Sequence, residues 1–379
     1  MLLGWILLCT GLVAVTFSPL AAGDGGRVRG RQGDVALYRA EIERVHAGES
    51  YYRVAGEELR ERGYPTASPF NWRFPAPIWL MGWMPSPMTG KVLLGGLAGL
   101  LLLWAFEVVA REGDHRSQSG QVHVFGQRLP MNQESSARKT DQSPGKGRVG
   151  LPLATALLLT GPLMPCALDD LFVMPVLWAG VLIGLSACAY GTNRPGWGVA
   201  FGLAAVFLRE LAMPYAVVAV GIALVNRRWR EVAAWGAGLG VFALCYGLHL
   251  VHVAGLIRPD DAAHGQGWLQ LGGAGFLVAA AQMSAYLVVL PPWVAAIYLG
   301  AALLGFAGWN TPLGQRIGLS ACLFLAAFAA VGHDFNQYWG SLFAPLLCFG
   351  AARCPASFLE LCAAGFPAAA GRAHTCSAN

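Results

Sequence analysis

Residues 91–110 read "KVLLGGLAGLLLLWAFEVVA", twenty positions in which only Lys91 and Glu107 carry charge. An α-helix rises about 1.5 Å per residue, so a run of this length matches a hydrocarbon core roughly 30 Å thick. In lipid every backbone N–H and C=O must be paired internally, which leaves helices or closed barrels. A barrel would alternate polar and apolar positions; these runs are solid. Comparable runs fall at 2–20, 88–110, 150–166, 171–190, 196–208, 211–226, 232–255, 284–308, 317–332 and 338–352. They predict an all-α polytopic membrane protein of about ten transmembrane helices. The composition agrees: 12% of residues are charged, against roughly a quarter in soluble domains. The formal charge of +5 is carried by loops, which suits anionic lipid surfaces as partners and not nucleic acid.

This pattern divides the chain into a first span at 1–22 and a long polar excursion at 23–87. A span at 88–110 and a Ser-, Gln- and Gly-rich linker at 111–148 follow, the linker having the composition of a disordered connection. A bundle at 149–352 and a tail at 353–379 complete it. "SPLAAG" after the first run leaves a cleaved signal as an alternative. Lys and Arg of the linker, Arg194, the run Arg227, Arg228 and Arg230, Arg316 and Arg353 share one side in a ten-span scheme, which the positive-inside rule makes cytoplasmic. Both termini then lie in the cytoplasm and the excursion outside. Parity requires residues 268–283 to form an interfacial or re-entrant helix on the outer face. The nine cysteines, most of them inside apolar runs, read as small buried hydrophobes.

Within the excursion, two short amphipathic helices are expected. Val35, Tyr38, Ile42 and Val45 share a face, as do Tyr51, Val54, Ala55 and Leu59, with Arg39, Glu41, Glu43, Arg44, Glu57, Glu58, Arg60 and Glu61 opposite. Such helices would lie in the membrane interface with the apolar face down. Asp34 stands at the first helix start, as an N-cap or as a base toward a hydroxyl. Glu49, in the turn between the helices, is the second candidate acid. "RGYPTASPFNWRFPAPIWL" (62–80) follows, where Pro65, Pro69, Pro75 and Pro77 exclude a regular helix or central strand. Irregular backbone beside a membrane is tolerated where protein buries it or a wet cavity adjoins it. The segment is therefore expected to fold back over the bundle, with Asn71 and Arg73 directed inward. The other reading makes Trp72, Trp79 and Trp83 an aromatic belt and lets Arg73 snorkel to lipid headgroups.

In the bundle, "LDDLF" places Asp169 and Asp170 in a first helical turn. "VFLRELAMPY" places Arg209 and Glu210 between apolar runs, where ionisable residues are costly and point to function. "AHGQGWLQLGG" with His264, and "GHDFNQYWG" with His333, Asn336 and Tyr338, combine polar side chains with aromatic faces. That composition suits a sugar-binding surface and equally any interfacial loop.

Taken together, "GDVALYRAEIERVHAGESYYRVAGEELRERGYPTASPFNWRFPAPIWL", "FLRELAMPY", "HGQGWLQLGG" and "GHDFNQYWGSLFAPLL" resemble bacterial multi-pass membrane proteins related to the GT-C glycosyltransferases, of the protein-mannosyltransferase type. The resemblance covers residues 33–352 without the linker. It implies a GT-C-like fold in the bacterial cytoplasmic (inner) membrane. It also implies transfer of a sugar from a polyprenyl-phosphate donor to an acceptor at the extracytoplasmic face. Asp34, or Glu49 in its place, would be the general base, and Arg73 and Arg209 would hold the lipid phosphate. His333 and Asn336 would read sugar or phosphate, and Asn71, Glu210, His264 and Tyr338 complete the expected substrate-binding set. The sequence departs from the family's acidic pair, having Val35 after Asp34. A divalent metal therefore stays open, with no metal ligand assigned and no cofactor identified. A transporter or lipid flippase would explain Arg209, Glu210 and the short spans as well. A catalytically silent scaffold of the same architecture is the third expectation.

Overall fold

The computed structural model describes residues 2–17, 33–119, 122–124, 127–129, 146–263, 271–332 and 334–365. In chain order the helices are α1 (Leu2–Thr16), α2 (Asp34–His46), α3 (Tyr51–Glu61), α4 (Ala76–Gly82) and α5 (Pro87–Ser119). A two-stranded antiparallel hairpin, β1 (Val122–Val124) and β2 (Gln127–Leu129), follows. Then come α6 (Lys146–Leu163), α7 (Pro175–Gly191), α8 (Pro195–Leu208), α9 (Met213–Val225) and α10 (Trp229–Ala254). The last are α11 (Gly273–Ala281), α12 (Pro292–Ala307), α13 (Pro312–Val331) and α14 (Ala344–Gly365).

Among the described residues, four stretches are long and apolar enough to cross a membrane: Pro87–Gly113, Trp229–Ala254, Pro312–Val331 and Ala344–Ala363. Six further apolar helices among these residues are shorter: α1, α6, α7, α8, α9 and α12. The chain is thus an α-helical membrane protein with α7 at its centre, where Val176 to Ala189 are buried throughout. By contrast, α10 leaves Val241, Leu244, Leu248 and Val251 exposed along one side, a face suited to hydrocarbon.

Several boundaries differ from the expected ones. The region beyond residue 352 is not an independent tail, because α14 continues through Pro355 to Gly365. The run at 338–352 is divided, a 3-10 stretch (Asp334–Leu342) preceding α14. Linker residues up to Ser119 prolong α5. The runs at 196–208 and 211–226, by contrast, are the two separate helices expected, α8 and α9, parted where the chain turns extended at Arg209 (φ −152°, ψ 110°). The region foreseen as a re-entrant helix holds α11, whose Phe276, Val278, Ala280 and Ala281 are buried in the bundle.

The excursion is built largely as its sequence suggests, but it packs on protein. A left-handed Gly63 (φ 73°) ends α3, a conformation costly for side-chain-bearing residues. Tyr51, Val54, Ala55 and Leu59 of α3 are at most 3% exposed, so their face is buried in the protein and not laid on lipid. The inward stripe of α2 is Leu37, Tyr38, Glu41, Ile42 and Val45, which moves Glu41 from the expected polar face to the buried one. Trp72 is buried as well, donating its indole N–H to the Thr66 carbonyl (3.2 Å) with the Arg60 guanidinium over its ring. Of Trp72, Trp79 and Trp83, the last, stacked on Trp79, alone keeps the exposure of a belt residue.

This segment is tied to the far end of α10. Arg60 grips Asp261 with two hydrogen bonds, Nε to Oδ1 at 2.6 Å and Nη2 to Oδ2 at 2.9 Å, and also donates to the Leu256 carbonyl. The Thr66 and Ala67 amides both donate to the Ala262 carbonyl. On the other flank Arg39 of α2 pairs with Asp170 at 2.6 Å. Asp170 is thereby a docking contact between two segments; it is not in the first turn of α7, which begins at Pro175.

Candidate functional site

Asp34 is the first residue of α2, and Gly33 occupies the cap position with no side-chain cap bond. The capping role foreseen for Asp34 is therefore not the one it has. Its Oδ1 instead accepts the Tyr64 hydroxyl at 2.7 Å. Because α3 runs back along α2 and stops at Gly63, Tyr64 returns to the start of α2, and the carboxylate is aimed by a residue thirty positions away. One helical turn onward, Tyr38 is buried beside it.

Arg73 reaches the same place from the proline-rich segment. Its carbonyl accepts the Tyr51 hydroxyl (2.5 Å), which holds the backbone, and its Nη2 lies 3.4 Å from the Tyr338 hydroxyl. Among the described residues it makes no ion pair within 4 Å, although Asp34 and Glu210 are both within electrostatic range. Burial works against its charge, but Tyr38, Tyr338, Asp34 and Glu210 favour it more strongly, so the guanidinium is held well above its ordinary value. Tyr338 comes from the 3-10 stretch after α13, with buried Asn336 on the same stretch. Gly340 lets this stretch approach closely, since a side chain there would collide with the Ala280 carbonyl of α11.

Arg209 enters from the break between α8 and α9. It is 2% exposed, its Nη1 is 3.2 Å from Glu210 Oε1, and its Nε and Nη2 have no hydrogen-bond partner. A buried guanidinium with two idle N–H groups is costly. Arg209 and Arg73 both act electrostatically on Tyr38 and Tyr246, so the two cations share one neighbourhood. Tyr38 and Tyr338 are pushed upward by burial and therefore stay protonated donors at neutral pH.

Asp34, Arg73, Arg209, Glu210 and Tyr338 thus converge from four separate parts of the chain. Asn71 sits at the end of a 3-10 turn two residues from Arg73, with its Nδ2 buried and unpartnered. Glu49 does not join them. It lies three residues beyond the opposite end of α2, a thirteen-residue helix about 20 Å long that begins at Asp34. There it is bonded by Arg44 and Arg53, each at 2.7 Å, and the Arg44 hydrogen bonds hold it below the usual carboxylate range. His264 and His333 lie outside the described residues.

The residues missed from sequence are Tyr38, Tyr51, Tyr64 and Glu41. The first two were read as hydrophobic face, and Glu41 as solvated. Its spacing from Leu37 and Val45, i and i+4 on either side, was the available signal. Among the described residues no group of three His, Cys, Asp or Glu side chains could hold a metal ion. All eight described cysteines are free.

Beside the cluster, a groove of about 650 Å³ runs between the excursion and α10, lined by Tyr52, Phe74, Trp79, Phe207, Leu248 and His252 among others. Two of its lining residues are close in sequence to the cationic pair: Phe74 follows Arg73 directly, and Phe207 precedes Arg209 by two residues. Comparison with protein-family models, with curated proteins and with solved structures finds no match to this chain.

Proposed function

We propose that this protein is a membrane glycosyltransferase of GT-C-like, ten-span architecture. It would take a sugar from a polyprenyl-phosphate donor to an acceptor at the extracytoplasmic face. Asp34 is the general base, accepting the acceptor hydroxyl's proton as the bond to the sugar's anomeric carbon forms. Arg73 and Arg209 hold the lipid phosphate and offset the negative charge that grows on it as it leaves. Asn71, Asn336, Tyr338 and Glu210 read the surrounding hydroxyls, and the groove at Phe74 and Phe207 takes the first isoprene units.

The observation that carries this reading is Arg209: buried, with two unpartnered N–H groups, near a second guanidinium and an oriented carboxylate. Acceptor oxygens of a phosphate match that unmet demand. The test is sugar transfer from labelled polyprenyl-phosphate hexose in membranes containing the protein. Transfer should fall by about 10²-fold or more in Asp34→Asn and vanish in Arg209→Met. Undiminished turnover in Asp34→Asn would remove the assigned base.

A transport reading is favoured by a different observation. At the other end of α7, about 25 Å away, Glu231 lies 3.7 Å from both Arg228 and Arg316, and Arg316 stacks over Tyr190. Charges buried at both ends of a bundle would suit a translocation path. Substrate uptake into proteoliposomes without sugar transfer would select it.

A further inference from the structure

Glu41 is used by none of the above, and it is the most enclosed acid near the cluster. It is 1% exposed, and its Oε2 has no hydrogen-bond partner. It lies seven residues after Asp34, two helical turns along the same face of α2.

The groups facing it are few. From α3 come Glu58 and Tyr51, from the segment after α3 Arg62 and Arg73, and from its own helix Asp34. Neither α4 nor the 3-10 turn Leu171–Val173, both packed on α2, brings a charge. Glu58 and Arg62 are committed to each other at 2.8 Å, and Glu58 also accepts from Arg44. Arg73 exerts the strongest opposing influence on a carboxyl that burial pushes up to about 8, ahead of Arg62, whose Nη1 is buried without a hydrogen-bond partner.

One guanidinium cannot serve two anions equally. A phosphate that occupies Arg73 cancels the field that permits Glu41 to ionise. We infer that binding of an anionic phosphodiester at Arg73 is accompanied by uptake of one proton from solvent onto Glu41, so that Glu41 acts as a replaceable counter-charge for the phosphate site. The proton ends on the carboxyl as O–H, and the net charge of the cluster is kept nearly constant. This rests on the reading of Arg73 as the phosphate-binding group and adds its regulation. Affinity for the anion should fall by up to about tenfold per pH unit once Glu41 ionises without ligand.

The test uses the full-length protein in detergent and farnesyl methyl phosphate, a diester that does not itself titrate between pH 6 and 9. Titration calorimetry in two buffers of different ionisation enthalpy counts the protons. About half a proton should be taken up at pH 8 and nearly one at pH 9. Uptake should vanish in Glu41→Gln, whose affinity should be flat across this range. Binding without proton uptake, equal uptake in Glu41→Gln, or no binding of the diester overturns the inference. Sugar transfer in the same preparation judges the enzyme reading separately. Transfer without uptake removes only the coupling, and uptake without transfer removes only the enzyme.

Discussion

The Tyr64 hydroxyl donates to Asp34 Oδ1 at 2.7 Å, fastening the end of α3 to the beginning of α2. The bond both orients the carboxylate and occupies one of its oxygens, leaving Oδ2 for an incoming hydroxyl. Tyr64→Phe should keep the fold and reduce sugar transfer about tenfold, the size expected for one lost orienting bond. Asp34→Asn should be far more damaging. Measuring kcat and KM for both separates aim from chemistry: equal losses in the two variants would mean Tyr64 does more than aim.

Arg209 predicts an opposition between stability and activity. Its guanidinium is buried with two unmatched N–H groups, while its partner Glu210 keeps 27% of its side chain exposed. Replacing it by methionine should stabilise the ligand-free protein by about 1–2 kcal/mol, because Glu210 can be solvated. The same change should abolish binding of a prenyl phosphodiester. Thermal unfolding in detergent with and without the lipid checks both halves; a lower melting temperature without ligand would show that Arg209 is structural.

Arg60 and Asp261 bind through two oxygens, and the Asp261 side chain is only 2% exposed. Removing one partner with Arg60→Ala should cost on the order of 3 kcal/mol and loosen the excursion from α10. The Arg60 hydrogen bonds hold Asp261 well below the usual carboxylate range. Its contribution is therefore complete above about pH 4, the unfolded value, and is lost as pH falls through the lower folded value. Wild type should lose its advantage over Asp261→Asn below pH 4 and keep it at pH 7, as read by unfolding temperature across that range.

Glu41 has the opposite sign. Burial raises its folded value to about 8, above the unfolded value near 4.3. Its contribution is intact below pH 4 and is lost as pH rises through about 8. Glu41→Gln should match wild type at pH 5 and melt several degrees higher at pH 9. A variant that is less stable at pH 9 would mean the carboxylate is satisfied where it stands.

The site was legible in the sequence where a residue violated its surroundings. Arg209 and Glu210 interrupt apolar runs, and Arg73 follows a stretch of prolines, so each is conspicuous alone. Tyr64 and Tyr51 violate nothing; their roles depend on which carbonyl or carboxylate a distant segment presents. Glu41 was misread because charge was taken to imply solvent, whereas the Leu37–Glu41–Val45 register places it inward. The excursion's helices were legible for the same reason that their environment was not. Periodicity shows that a face is buried but does not distinguish lipid from protein. The tie between Arg60 and Asp261 spans 201 residues, and no local pattern announces it.

The dependence of the excursion on that distant loop has a consequence for biogenesis. When the ribosome has made α2 and α3, the partners of Arg60 and Thr66 do not yet exist, and Tyr338 comes later still. The polar arm must wait beside the growing bundle with Arg60 and the Thr66 and Ala67 amides unpaired until the chain beyond α10 emerges. A chain stopped before residue 256 would already carry α10 and the Asp170 partner of Arg39, and would still lack the Leu256 and Asp261 acceptors of Arg60 and the Ala262 carbonyl that receives Thr66 and Ala67.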